Sequence, residues 1–489
     1  MNKLSYATLE EMKYDGFLQK EGKTKVLQFG EGNFLRAFVD YFFDILNEKC
    51  DFNGKITLVQ PIANGLTDMI NNQDGLYTLY LRGREKGQQV NQKRIISSVS
   101  NCINPYADFA GFLNYADEDD LRFIVSNTTE AGITFDDTCK FDDAPQTSFP
   151  GKLTRFMYER FTKGKKGFVI LSCELIDNNG KELQKCVEQY ADLWNLGEDF
   201  KAFVQNDNIF CSTLVDRIVT GYPRTEADAI NAENGYLDNI IDTGEIFGFW
   251  VIEGPASLKE ELPFEKAGLP VLIADDHTPY KKRKVRILNG AHTSMIMAAY
   301  LAGQDIVRFA MDDKVIVDFM NNTLNDEIIP TLDLPKDELM EFAASVIDRF
   351  NNPYIDHELL AISLNSTSKW LARVYPSFTE YVKRFGTLPK HITFSFAAYI
   401  AFYRATEMRD GALIGHRNDN EYKIMDDAFI LDFYKNHSEL PNAELVTAVC
   451  KNEKFWGVDL TTHEGFAEAV IAYLDDIDTN GMYQAMQNL

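Results

Sequence analysis

The chain reads as an α/β protein: an N-terminal Rossmann-like domain built on a parallel sheet, followed by an all-helical C-terminal domain. Three observations predict this. Short β-rich runs alternate with helical segments through the first half, which is the pattern of βαβ units. A glycine turn follows the first of those runs. From about residue 280 the periodicity is helical, punctuated by Pro330, Pro335, Pro353 and Pro389, and proline between helical stretches marks ends and starts. A chain of 489 residues exceeds what one core usually serves. The expected division is an α/β domain over 1–277 and a helical domain over 278–489.

Lys25–Phe29 is a short apolar run ending in glycine, and Phe34–Asn47 is an amphipathic helical segment. Lys55–Val59, Leu121–Ser126 and Lys166–Cys173 read as further strands, the last entering a helix over Lys181–Trp194. Leu76–Arg82 and Gln89–Ser100 alternate with period two and predict a strand pair, either an insertion or an extension of the sheet. Phe247–Glu253 and Pro270–Ala274 are the last strand-like runs. Helices are expected over 281–302, 313–329, 336–350, 366–386, 390–405, 422–436 and 441–451.

Composition excludes several classes. Hydrophobic content of 45% with 12% aromatics supports packed cores. A formal charge of −25 argues against nucleic-acid or anionic-membrane partners, whose phosphates need a basic footprint. Cysteines 50, 102, 139, 173, 186, 211 and 450 are scattered and form no C-x-x-C pair, so neither a disulfide frame nor a zinc site is expected. No signal-like apolar stretch opens the chain, and no run of 18 apolar residues occurs. A cytoplasmic location is the expectation. Asp275-Asp276-His277 could suggest a metal site, but a short acidic loop with one histidine reads more simply as solvated surface.

Lys25-Val-Leu-Gln-Phe-Gly30-Glu-Gly32-Asn33-Phe34-Leu35-Arg36 combines a strand, a glycine turn and a helix start. Two glycines let the backbone turn tightly and approach a pyrophosphate closely, with amides at the helix start as donors. Arg36 could add a phosphate contact. The third glycine of G-x-G-x-x-G is replaced by Leu35, and the second strand ends Leu58-Val59-Gln60-Pro61 without the carboxylate that usually holds a ribose. This motif alone does not choose between NAD and NADP. A methyltransferase loop could look similar, although nothing in the helical half supports one.

Lys284-Val-Arg-Ile-Leu-Asn289-Gly-Ala-His292 opens a helix at the junction of the two domains. At about 100° per residue, Asn289 lies about 140° and His292 about 80° round the axis from Lys284. The same arc holds Leu288, Met295, Ile296 and Ala299, an apolar stripe of the kind that faces a core. An ammonium, an amide and an imidazole set among such residues must be mutually satisfied or kept for chemistry.

Together these segments resemble the polyol-specific, metal-independent long-chain dehydrogenases, the mannitol dehydrogenase family. That family carries a G-x-G-x-F-x-R-A turn and a K-x-x-x-x-N-x-x-H segment, present here as Gly30–Ala37 and Lys284–His292. Four longer stretches (Val26–Phe38, Ser126–Ile133, Ser172–Gly180 and Ser212–Tyr222) resemble family members that act on keto sugar acids. The resemblance implies NAD held by Phe29, Gly30, Glu31, Gly32, Asn33, Phe34, Arg36, Thr129 and Glu130. It implies Lys284 as general acid/base, Asn289 as oxyanion donor and His292 as a hydrogen-bond partner of the substrate, with no metal. A lysine near its ordinary 10.4 is a poor base; desolvation and nearby cations such as Arg283 or Lys282 would lower it. Asp216 and Lys369 are the implied substrate contacts, although Asp216 could instead pair with Arg217.

Two departures bear on the substrate. The family's S-C-D-N reads Ser172-Cys-Glu174-Leu175 here, so its oxyanion asparagine is lost. The arginine of R-I-A-x-D-G-S-x-K falls at Ala361, whereas Thr367 and Lys369 keep the end of that stretch. A carboxylate on the substrate needs a cation, and Lys369, Arg373, Arg286 and Arg217 are the candidates.

Overall fold

The structure is a computed structural model describing residues 1–489. The chain divides into two compact units, one of residues 1–82 and 90–277 and another of 83–89 and 278–489.

In the first unit the strands are β1 (Lys23–Phe29), β2 (Gly54–Val59), β3 (Tyr77–Glu85), β4 (Gln88–Ile96), β5 (Val99–Ile103), β6 (Phe123–Ser126), β7 (Val169–Ser172), β8 (Ile209–Asp216), β9 (Asp242–Glu245), β10 (Phe249–Glu253) and β11 (Val271–Ala274). Eight of them form one sheet in the order β11-β10-β8-β7-β6-β1-β2-β5. Neighbours are parallel except β10 against β8. Successive residues of β1 feed opposite cores. Val26 packs with Phe42, Ile56 and Trp250 on one side, and Leu27 and Phe29 with Ile124, Phe156 and Ile170 on the other. Burial on both faces is why these strands read as continuous apolar runs.

The order places the carboxyl ends of β1, β6, β7 and β8 along one edge, where open α/β sheets carry their ligands. The helix expected over Phe34–Asn47 is two helices, Asn33–Ala37 and Val39–Cys50, broken at Phe38. The expected strand pair is β3 and β4 in a small sheet β4-β3-β9. The tail of its second run separates as β5 and pairs with β2. Asp44 anchors that break by accepting from Ser97 N at 2.8 Å and Ser97 Oγ at 3.0 Å.

The second unit is helical, with one small antiparallel sheet that periodicity did not predict: β12 (Glu407–Arg409), β13 (Ala412–Arg417) and β14 (Asn420–Ile424). Its turns place Asp410, Gly411 and Asn418 at positive φ, a hairpin signal, so the helix expected from 422 begins at Ala428. The 366–386 helix is broken at Val374 into Ser366–Arg373 and Tyr375–Phe385. A long helix over Phe466–Asn480 also went unpredicted. No helix is long and apolar enough to cross a membrane, and all seven cysteines are free.

Candidate active site

The glycine turn sits at the carboxyl end of β1. Gly30 has φ +125°, and a Cβ there would lie 3.0 Å from the Asn127 carbonyl oxygen, so glycine is required by both strain and space. Gly32 precedes the Asn33–Ala37 helix, and a Cβ on it would meet nothing within 4 Å. The opening-turn amides of that helix have no carbonyl partner within it. An open edge with backbone donors and no side chain in the way is what a dinucleotide's phosphates need, so the turn fits such a cofactor.

The side chains around it divide. Asn33 is exposed, Phe34 is half-buried and stacks on Phe38, and Thr129 (φ +73°) and Glu130 are exposed on the loop after β6. Phe29 is fully buried between Phe112 and Phe149, so its side chain is core and only its backbone borders the edge. Glu31 is buried and takes the Leu66 amide at 3.4 Å; burial pushes its carboxyl up. The phosphate contact expected of Arg36 is not available. Arg36 is 1% exposed, donating to the carbonyls of Ile240 (2.7 Å) and Glu31 (3.1 Å) and to Asn33 Oδ1 (2.6 Å). It braces the turn from beneath. Gln60, at the end of β2, holds Thr67 Oγ1 and the Ile62 and Ala63 carbonyls.

On the same edge, Asn179 holds the backbone of Glu174 and Thr213. Buried Glu174 accepts from Ser126 Oγ and from Thr128 N and Oγ1. It therefore fixes the loop that carries Thr129 and Glu130. Leu175, where the family asparagine would stand, is exposed. Asp216 ends β8, buried. The Arg217 guanidinium donates to the carbonyls of Ala37 (2.6 Å) and Phe247 (2.9 Å) and lies over Phe38, Tyr41 and Phe42. His277 is not solvated surface: it is buried, its Nδ1 2.5 Å from Glu253 Oε2, while Lys181 takes the other oxygen at 2.8 Å. Asp276 lies within 4.8 Å of Glu253 and His277.

In the second unit, Lys284–Asn289 is a π-helix set between the α-helices Thr278–Arg283 and Gly290–Leu301. This corrects the angles expected of an α-helix. In a ladder of i→i+5 hydrogen bonds the turn is wider than in an α-helix, so Asn289 comes closer round the axis to Lys284 and the two share a side of the helix. The Gly290–Leu301 segment is buried almost all round, not along one stripe. Arg283, the cation expected beside Lys284, is buried and paired with Glu338 at 2.7 Å; Lys282 is exposed.

His292 stacks on Phe350 with ring centroids 3.8 Å apart and planes 4° apart, and meets His357 edge-on at 5.7 Å. Its Nε2 is buried with no hydrogen-bond partner. Burial, then the charges of His357, Arg349 and Arg373, hold its pKa well below the ordinary histidine value, so the imidazole is neutral. His357, Arg349 and Phe350 were missed by sequence reasoning because no local motif surrounds them. Lys369 donates to the Ile362 carbonyl at 2.8 Å.

A parallel-sheet unit with a phosphate-type glycine turn, joined to a helical unit carrying lysine, asparagine and histidine on one segment, defines a dinucleotide-dependent dehydrogenase. The chain belongs to the mannitol dehydrogenase family: the family's Rossmann domain matches residues 24–266 and its C-terminal domain residues 276–478. It is 47% identical over 476 residues to an altronate oxidoreductase of Klebsiella pneumoniae subsp. pneumoniae, covering 95% of this chain and 96% of that one. An altronate oxidoreductase of Yersinia enterocolitica is 46% identical over 473 residues, covering 94% and 96%. The fold is similar to that of D-sorbitol dehydrogenase in substrate-free form (TM-score 0.81, 22% identity, 99% and 100% covered). It also resembles Pseudomonas fluorescens mannitol 2-dehydrogenase in ternary complex with NAD and D-mannitol (TM-score 0.68, 21% identity, 99% of each chain covered).

Proposed function

We propose that the protein is an NAD-dependent oxidoreductase that interconverts D-tagaturonate and D-altronate. The observation that carries this reading is near-full-length identity of 45–48% to proteins named altronate oxidoreductase, with Lys284, Asn289 and His292 intact. Gly30, Glu31, Gly32, Asn33 and Phe34, with Thr129 and Glu130, would hold the cofactor, and its nicotinamide would supply or accept the hydride.

The protein's own groups move the proton and hold the oxygen. In the reducing direction the Lys284 ammonium gives its proton to the substrate oxygen as the carbonyl becomes an alcohol; in oxidation the neutral amine takes it back. The Asn289 amide donates to the same oxygen as charge develops there, and the π-helical turn supports this by putting both groups on one side. Neutral His292 offers its unpartnered Nε2 to a substrate hydroxyl. Lys369, in the same unit as Lys284, takes a further substrate hydroxyl.

The test is NADH oxidation followed at 340 nm with tagaturonate, fructuronate and fructose. Tagaturonate should give the highest kcat/KM. A preference for fructuronate would make the protein a fructuronate reductase, and a preference for fructose a polyol dehydrogenase.

A further inference from the structure

We propose that Arg373 receives the carboxylate of the substrate and so selects an acid over a neutral ketose. The inference rests on the reading of the protein as a sugar-acid oxidoreductase and adds the residue that reads the acid.

Arg373 ends the Ser366–Arg373 helix, which packs on the segment carrying Lys284, Asn289 and His292. The approach is close: a Cβ on Gly290 would lie 3.2 Å from the Arg373 carbonyl oxygen. Glycine between Asn289 and His292 is thus what lets the arginine sit beside them. It is half-buried, and no acidic group acts on its guanidinium to offset that burial. Partial burial of an uncompensated charge is unfavourable, and burial lowers the arginine's pKa.

Its neighbours are positive as well. The charges of Arg349 and Arg373 reach His292, that of Arg373 reaches Lys369, and that of Lys369 reaches His357. The acid that acts on Lys369, Asp426, already takes Thr367 N and Oγ1 and the Tyr403 hydroxyl. A cluster of cations around a buried, unpartnered imidazole nitrogen is a site prepared for an anion.

The other candidate cations are engaged. Arg217 holds backbone carbonyls and lies over three aromatic rings. Arg286 Nη1 is 3.1 Å from Ser377 Oγ. Lys369 holds the Ile362 carbonyl and offers a point charge, whereas a guanidinium matches a carboxylate with two parallel N–H donors. Tagaturonate carries its carboxylate four bonds from the keto carbon, at the opposite end of the chain. Arg373 would hold that end while Lys284 and Asn289 address the carbonyl.

The test compares tagaturonate with D-tagatose, which has a hydroxymethyl group where tagaturonate has the carboxylate. In Arg373→Met, kcat/KM for tagaturonate should fall about a hundredfold, as expected when one partner of a buried charge pair is removed. The loss should fall mainly on KM, and kcat/KM for tagatose should change less than threefold. Arg373→Lys should recover part of the loss, keeping charge without the fork. Unchanged NADH binding and melting temperature show that the variants fold. A loss below threefold on tagaturonate, or equal losses on both substrates, overturns the inference. If the wild type does not reduce tagaturonate, the proposed activity fails. The carboxylate contact is then judged by whether altronate raises the melting temperature of the wild type and not of Arg373→Met; an equal shift in both rejects it.

Discussion

At the scale of single residues, Lys284, Gly30 and Gly32 make distinct predictions. Lys284→Ala should lower kcat at least about a hundredfold, the range for lost acid–base catalysis, while NADH titration shows binding retained. Near-normal turnover would reject Lys284 as the proton-transfer group. Gly30→Ala strains a positive φ and presses on the Asn127 carbonyl, and should destabilise the protein by about 1–3 kcal/mol in denaturant melts. Gly32 is exposed and a Cβ there meets no protein atom within 4 Å, so in Gly32→Val the melts should hardly change, whereas the Kd for NADH should rise at least tenfold. Local spacing gave the turn and the Lys-Asn-His segment. It could not give Phe29 as core or Arg36 as a buried brace, because both depend on partners far along the chain, such as Phe112 and Ile240. His357 was illegible for the same reason.

At the scale of elements, the strands with strong apolar runs were legible and the mixed ones were not. β8, written Ile-Phe-Cys-Ser-Thr-Leu-Val-Asp, is polar enough to escape a hydrophobic reading, yet it lies between β7 and β10. The π-helix at Lys284–Asn289 was equally invisible, since apolar spacing alone does not distinguish a locally widened turn from a regular one. Arg36 ties two elements together, and Arg36→Ala would leave the buried carbonyls of Glu31 and Ile240 without their donor and buried Asp242 without its ion-pair partner. It should cost about 3–5 kcal/mol and weaken NADH binding through a loosened turn. Denaturant melts and NADH titration read the two effects separately.

At the scale of the whole molecule, pH and thiol chemistry follow from burial. Burial raises the carboxyls of Asp40 and Asp242 to about 7. Asp40 Oδ1 and Gln28 Oε1 are buried without hydrogen-bond partners, and Asp242 Oδ2 has only the Arg36 guanidinium, 3.8 Å away, as carboxyls carrying protons would explain. In the unfolded chain these carboxyls titrate near about 4, so between about pH 4 and 7 the folded state binds more protons. Their contribution is fully present below about pH 4 and lost as pH rises through 7. Asp40→Asn should therefore lose less melting temperature than the wild type between pH 5 and 8.5. Six of the seven cysteines are buried, and burial pushes Cys102, Cys211 and Cys450 up to about 12. A thiol reagent should label Cys50 first in the native protein, with the rest reacting only on unfolding.

The β3–β4 turn has one more consequence. Residues 83–89 group with the helical unit, where the Gly87 amide donates to Asp348 and Gln89 to the Tyr354 hydroxyl. A gene cut after His277 therefore yields a C-terminal fragment lacking a piece of its own packing. Such a half should express poorly by itself, and supplying 83–89 as a tethered peptide would be the natural repair.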